Sequence, residues 1–236
     1  MKWGKIRWLT YMLVVVGLVA YWRGWWVPNA PSVSRYPVRG IDVSHHNGEV
    51  RWDSVGSEGI DFVFIKATEG ADWQDPRFRS NWDGAQGAGL KVGAYHFFRT
   101  TSSGADQAMN FIATVPRLND ALPPVIDLEF SRESAVMKDD EFFEQLEVMR
   151  GRLREYYGVD PIIYTVRGFY DDYLTGIDVE HFWLRSTNGE PDWASDAWVF
   201  WQYTDRGRVR GIEGQVDLNV YRGDLAELEA MLIPGR

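Results

Sequence analysis

From Val38 onward, short apolar runs alternate with segments of helical spacing. Val38 to Val43 reads as a strand. Asp61 to Ala67 is a stronger one, because Phe62, Val63, Phe64 and Ile65 are aromatic or β-branched. Phe78 to Ala88 reads as a helix ended by Gly89, Leu90 to Phe97 as a strand, and Ala105 to Thr114 as a helix. Pro124 to Phe130 is a further strand. In Asp139 to Tyr157, Phe142, Phe143, Leu146, Met149, Leu153 and Tyr156 recur at helical spacing, and Gly158 ends the run. Pro161 to Thr165, Phe182 to Ser186, Trp198 to Tyr203 and Gln215 to Val220 are later strands, and Asp224 to Leu232 is a closing helix. Such alternation predicts an α/β fold with a mainly parallel sheet and helices outside. About eight strands suggest a TIM-like β/α barrel, modified by having few helices between the last strands. An open doubly wound sheet is the alternative.

The N-terminus has a different pattern. Lys2, Lys5 and Arg7 precede an apolar run from Trp8 to Trp22, and Trp25, Trp26 and Val27 follow Arg23. A basic start and an apolar stretch mark an export signal. The run itself is short of the roughly 20 residues that span a bilayer, and counting through Arg23 to Val27 makes up the difference. Tyr21, Trp22, Trp25 and Trp26 gather at its far end, as interfacial anchors do. The expectation is an uncleaved signal anchor over residues 1–27 that makes the membrane a partner and holds the domain outside the cytoplasm, with a cleaved signal peptide and secretion as the alternative. Residues 28–37, rich in proline, read as a linker to a domain over 38–236.

Composition narrows the function. The net charge of -9 argues against a nucleic-acid partner, whose phosphates need a basic surface. With no cysteine there is no disulfide, thiolate metal site or cysteine nucleophile. No glycine-rich phosphate loop follows a strand. No metal or other cofactor is expected, and a monomer is the default. Aromatics are plentiful, with 12 Trp, 11 Tyr and 12 Phe. Most such rings serve a core, but flat faces also suit the apolar C–H faces of sugars.

A β/α barrel carries its active site at the C-terminal strand ends. Those ends here hold Asp42, then Lys66 and Glu69, then Tyr95 and His96, then Asp127 and Glu129. Tyr164, the run Trp201, Gln202 and Tyr203, and Asp217 with Asn219 follow. Asp127 and Glu129 are the sharpest pair. Residues two apart on a strand face the same way, with Cα atoms about 6.6 Å apart. Two close carboxylates cannot both ionise freely, so one holds a proton to higher pH and can give it to a leaving oxygen. Glycosidases use such a pair. Alone, Asp-x-Glu is equally a charged strand end. A lone Asp at a strand end, as Asp42 is, is more often a turn or cap residue, and His96 is equally a hydrogen-bonded structural histidine. His45 and His46 lack metal-ligand spacing.

Together the motifs resemble glycoside hydrolase family 25, the muramidases of bacteria and phage. The opening motif is Gly40-Ile41-Asp42-Val43-Ser44-His45-His46-Asn47-Gly48 with Trp52. Phe64-Ile65-Lys66-Ala67-Thr68-Glu69-Gly70, Asp75-Pro76-Arg77-Phe78 with Asn81-Trp82, and Val92-Gly93-Ala94-Tyr95-His96-Phe97 continue it. Asp127-Leu128-Glu129, Ile163-Tyr164-Thr165, Trp201-Gln202-Tyr203 and Val216-Asp217-Leu218-Asn219 complete it. The resemblance implies hydrolysis of the β-1,4 bond from N-acetylmuramic acid to N-acetylglucosamine in peptidoglycan. It implies Glu129 as general acid, and Asp127 as stabiliser of developing positive charge or guide of the acetamido group. Asp42 and Asp217 complete an acidic cleft. Tyr95, Tyr164, Trp201 and Glu69 belong to the substrate site. Arg185 departs from the pattern, which has a small residue there. It either binds a substrate carboxylate or pairs with a neighbouring acid. The competing readings are another barrel glycosidase of chitinase type and a glycan-binding module without catalysis.

Overall fold

The computed structural model describes residues 2–117, 120–130, 139–194 and 196–233. Helix α1 (Lys2–Trp22) precedes strand β1 (Arg39–Val43), α2 (Trp52–Gly56) and β2 (Phe62–Glu69). The short β3 (Trp73–Gln74), then α3 (Phe78–Gly87), β4 (Lys91–Phe97), α4 (Gly104–Thr114) and β5 (Val125–Leu128) follow. Then come α5 (Asp139–Tyr157), β6 (Ile162–Val166), the one-turn α6 (Arg167–Phe169), β7 (Phe182–Arg185), β8 (Trp198–Gly207), β9 (Val216–Tyr221) and α7 (Leu225–Ala230). The sheet runs β1-β9-β8-β7-β6-β5-β4-β2-β3, and an additional β1–β2 pairing closes it into a barrel. The short β3 stands outside the closure, paired antiparallel to the end of β2.

Neighbours from β1 through β2, β4, β5, β6, β7 to β8 are parallel, whereas β9 is antiparallel to both β8 and β1. Residues 186–197, between β7 and β8, and 208–215, between β8 and β9, hold no helix among the described residues. That is the modified TIM-like barrel the strand spacing predicts. An antiparallel neighbour needs only a short connection, while a parallel one needs a crossover. The short gap from Gly207 to Val216 therefore forces β9 to reverse.

Period-two alternation sorts the strand residues into two layers. Phe62 and Phe64 of β2, Val125 of β5, Ile162 and Tyr164 of β6, and Trp183 of β7 form an inner cluster. Phe200 of β8, Tyr221 of β9 and Leu228 of α7 belong to it too. The intervening residues, such as Ile41, Val63, Ile65, Ile126, Ile163 and Leu184, pack outward under the helices. The inner rings fit because glycines face them. Gly40 pairs with Phe62 across β1–β2, and Gly93 with Phe64 across β2–β4. A methyl group at Gly40 would lie 2.3 Å from the Phe62 ring, and one at Gly93 2.5 Å from that of Phe64.

The N-terminal segment corrects the sequence reading. Helix α1 ends at Trp22, and Gly24 turns the chain at φ +70, so the run does not continue through Arg23 to Val27. The apolar part from Trp8 to Trp22 rises only about 22 Å at ~1.5 Å per residue, against a hydrocarbon layer of about 30 Å. Among the described residues no helix is long and apolar enough to cross a membrane. The signal anchor, the membrane as partner and the membrane-held location are therefore not supported. The end of α1 rests on the barrel instead. The Arg206 guanidinium lies 4.1 Å from the Tyr21 ring centroid and donates to its hydroxyl. Gln215 Nε2 donates to the Trp22 carbonyl at 2.9 Å, and Asn29 Nδ2 to the Tyr203 carbonyl at 2.6 Å. Residues 28–37 lack regular structure, yet Tyr36 is buried in the outer core against Trp201.

Candidate active site

The inner alternation ends in polar residues at one rim. Asp42 follows Gly40, Tyr95 follows Gly93, Asp127 follows Val125, Arg185 follows Trp183 and Gln202 follows Phe200. Asp217 reaches the same rim from the start of β9, because that strand runs the other way and its Asp217 pairs directly with Asp42. These groups wall a cleft of about 330 Å³ that also takes in Glu129, Tyr164, Trp183 and Asp205. The volume lies within the usual span of ligand sites.

Asp42 is the best-held acid. Its Oδ2 accepts from Gln202 Nε2 at 2.9 Å and from Asn219 Nδ2 at 2.8 Å. Both amides are oriented from behind. Tyr164 Oη donates to Gln202 Oε1 at 3.0 Å, and Trp183 Nε1 donates to Asn219 Oδ1 at 2.9 Å. Burial pushes the Asp42 carboxyl up to about 6, with the two amide bonds holding it from rising further. Burial and then the charge of Asp42 push Asp217 up to about 9. The two share a hydrogen bond in which Asp217 keeps the proton at neutral pH.

Asp127 and Glu129 form the second pair. Asp127 is buried, and its Oδ1 has no hydrogen-bond partner among the described residues. Burial, then the neighbouring Glu129 charge, raise Asp127 well above the ordinary carboxylate range. Glu129 stands just beyond the end of β5, half-buried. Burial raises it as well, opposed mainly by the Arg185 cation. Arg185 Nη2 meets Asp205 Oδ2 at 2.8 Å, so of the two sequence readings the pairing with an acid is present.

Two expected residues fall outside the cleft. Trp201 points to the outer layer, where its Nε1 donates to the Ser186 carbonyl at 2.8 Å and its ring meets Tyr36 at 5.8 Å. The inner position of that run is Gln202. Glu69 lies past a register shift in β2 and holds Lys66 at 2.6 Å and Arg99 Nε at 2.9 Å. Burial alone would raise its carboxyl, but the two cations outweigh it and hold it low. The sequence reading placed Gln202 and Asn219 at the rim without giving either a role, and it missed Trp183 and Asp205. Counting by twos from Phe200 would have selected Gln202, and counting by twos from Tyr221 would have selected Asn219. Nothing in the pattern points to Asp205, which depends on how far β8 extends.

His96 and His45 are held in structural hydrogen bonds. His96 is buried between Thr68 Oγ1, at 2.7 Å from Nδ1, and Gln107 Oε1, at 2.9 Å from Nε2. Gln107 spends its amide on the Arg99 and Ser102 carbonyls, so its oxygen accepts and the imidazole proton sits on Nε2. Burial pushes His96 down to about 4, which keeps it neutral. His45 Nδ1 and its backbone N–H both meet Asp75 Oδ2, at 2.8 and 2.9 Å, tying the β1 loop to the chain before α3.

A closed β/α barrel with paired carboxyls and aromatic rings at one rim has the makings of a glycoside hydrolase. Residues 41–212 match the model of glycosyl hydrolases family 25, and the chain belongs to that family. It is thus a glycoside hydrolase of the lysozyme, or muramidase, type. It is 35% identical to lysozyme M1 of Streptomyces globisporus over 214 residues, 82% of this chain and 71% of that one. A family 25 glycosyl hydrolase structure from Bacillus anthracis superposes with a TM-score of 0.80 at 38% identity, covering 86% of this chain and 96% of that one. The bacterial lysozyme of Streptomyces coelicolor gives 0.75 at 34% identity, covering 82% and 96%.

Proposed function

We propose that this cleft cleaves the β-1,4 bond between N-acetylmuramic acid and N-acetylglucosamine in bacterial peptidoglycan, with residues 38–236 as the catalytic domain. The observation that carries the residue roles is the half-buried Glu129 beside the buried Asp127, each raised by its surroundings. A raised carboxyl keeps its proton into the pH range where it can protonate the departing glycosidic oxygen. Glu129 is the general acid, because it lies further out and is the more accessible of the two. Asp127 lies deeper, where its unpartnered oxygen suits either a developing oxocarbenium charge or the acetamido N–H of the sugar. Asp42 and Asp217 hold the opposite wall as one hydrogen-bonded, singly protonated pair, whose remaining carboxyl oxygens can accept from sugar hydroxyls. Tyr95, Tyr164 and Trp183 supply the ring surface. Both a covalent and a substrate-assisted route are compatible with the two carboxyl positions.

The test is a digest of purified peptidoglycan, with products reduced and read by mass spectrometry. New muramic-acid reducing ends are expected from the wild type. Glu129→Gln is expected to lose at least about 10²–10⁴ in rate, the usual worth of general acid catalysis. Cleavage of chitin oligomers alone would transfer the reading to a chitinase-type enzyme. A Glu129→Gln protein at full rate would remove Glu129 from the role of acid.

A further inference from the structure

Among the described residues that wall the cleft, Arg185 is the one cation. Five carboxyls, Asp42, Asp127, Glu129, Asp205 and Asp217, line the same space, so a cation there eases their crowding. That duty does not account for its position. Arg185 also lines a second, adjoining groove of about 490 Å³, whose other walls include Arg167, Asn188 and Trp193 together with two acids, Glu190 and Asp192. It therefore stands where the cleft opens into the groove. Among the described residues its guanidinium bonds to Asp205 alone, through Nη2. A guanidinium carries five N–H donors in a planar fork. The Asp205 bond fixes the fork and leaves donors for an anion. Arg167, next to the Val166 that pairs with Arg185, is two-thirds exposed and among the described residues forms an ion pair with Asp171 at 3.5 Å.

The sugar of the proposed substrate brings its own anion. Muramic acid differs from glucosamine by a lactyl ether on C3, which ends in a carboxylate or continues as a stem peptide with carboxylates of its own. Such a substituent is disfavoured among the cleft carboxyls, and Arg185, where the cleft meets the groove, is the cation placed to receive its charge.

We infer that Arg185 is a specificity-determining residue that binds the carboxylate on the C3 substituent of the muramyl unit, with the adjoining groove receiving the remainder of that substituent. This rests on the muramidase reading above. The carboxylate comes either from the bare lactyl group of a peptide-free strand or from the stem peptide.

The test uses the full chain and four glycans: peptide-free strands with the lactyl carboxylate free or amidated, and peptide-bearing strands with their carboxylates free or amidated. The readout is the ratio of kcat/KM for the free form over the amidated form in each pair, at one pH. Taking the ratio cancels any effect of Arg185 on the acids themselves, since both substrates meet the same acids. The wild type is expected to prefer the free form by about 10- to 100-fold in at least one pair, as a charge-assisted bond implies. Arg185→Ala is expected to bring that ratio to about 1, and Arg185→Lys to leave it between the two, since it keeps the charge but not the fork. The pair that responds identifies the source of the carboxylate. A wild type that cuts both forms equally well overturns the inference and leaves the muramidase reading standing. So does a preference that survives in Arg185→Ala. A wild type that cuts none of the four overturns the muramidase reading and the inference with it.

Discussion

At the scale of single residues, the cleft works against the stability of the fold. Asp217 has its carboxyl raised from 3.8 to about 9, so the folded chain keeps a proton there that the unfolded chain releases. For an acid raised in this way, stability is full below the unfolded value and falls as pH climbs from 3.8 to about 9. Asp217→Asn removes that penalty and still donates to Asp42. Its Tm at pH 7 is expected to rise by at least about 3 °C, with the gain vanishing near pH 3 and activity reduced. Thermal scans at the two pH values check it, and an equal gain at both would mean that titration is not the cause. A second outcome concerns Glu129, whose carboxyl the Arg185 cation holds down. Arg185→Ala is expected to raise it, so that the protonated acid persists to higher pH. The alkaline limb of the kcat/KM profile then moves up, and a limb that stays or moves down would separate the two residues. The sequence displays Asp127 and Glu129 because Ile126 and Leu128, alternating with them, mark the opposite face. It misleads at Trp201 because β8 is buried on both faces, and the aromatic runs Trp198 to Trp201 hide which parity is inner. Glu69 misleads for another reason: the register shift in β2 breaks the count of two.

At the scale of elements, each inner ring is matched to an absence. Phe62 and Phe64 of β2 fill the barrel because β1 and β4 offer Gly40 and Gly93 at the paired positions. The register is parallel and direct, so neither ring can shift without displacing the strand. Gly93→Ala would put a methyl 2.5 Å from the Phe64 ring and 3.1 Å from Leu122. It is expected to destabilise by about 1–3 kcal/mol, the usual effect of overpacking, as read from the midpoint of urea unfolding. Gly87→Ala meets nothing within 4 Å and serves as the control, expected to be neutral or slightly stabilising. Equal loss in both would point to helix and strand propensity rather than to packing. The parallel strands were legible as short β-branched and aromatic runs between glycine and proline. The reversal of β9 was not, because its alternation reads the same in either direction. Only the length of the connection before it carries that information. The site depends on this detail, since a parallel β9 would put Asp217 at the barrel floor, away from Asp42.

At the scale of the whole molecule, the N-terminal segment and the barrel meet along the same edge that carries the rim. Arg206 of β8 stacks on Tyr21, and its neighbour Asp205 binds Arg185 in the cleft. Gly24 passes so close to β8 that a methyl there would lie 1.8 Å from the Arg206 carbonyl, and its positive φ of +70 disfavours other residues as well. The contact is thus specific in shape, yet it is small. It consists of a cation over a ring, a few hydrogen bonds from Gln215, Arg208 and Asn29, and the partly buried Val27 packed against the outer core. Of the cleft acids only Asp205 reaches it, through Arg206 at 3.4 Å, and Asp42, Asp127, Glu129 and Asp217 do not line it among the described residues. The barrel closes through β1 and β9, and Tyr36 seals the outer layer after the segment has ended. A chain lacking residues 1–27 is therefore expected to fold, with Tyr36 still seated. Each lost surface contact contributes about 0.5–1.5 kcal/mol, so Tm should fall by a few degrees rather than collapse. Wall digestion by this shortened chain should stay within about threefold of the full one, because 0.65 kcal/mol or less of change at the cleft is all that a remote docking contact would transmit. If the shortened chain fails to fold, the segment is part of the core and the boundary at Val38 is wrong. If it folds but loses activity, the link from Tyr21 through Arg206 and Asp205 to Arg185 reaches the reacting groups.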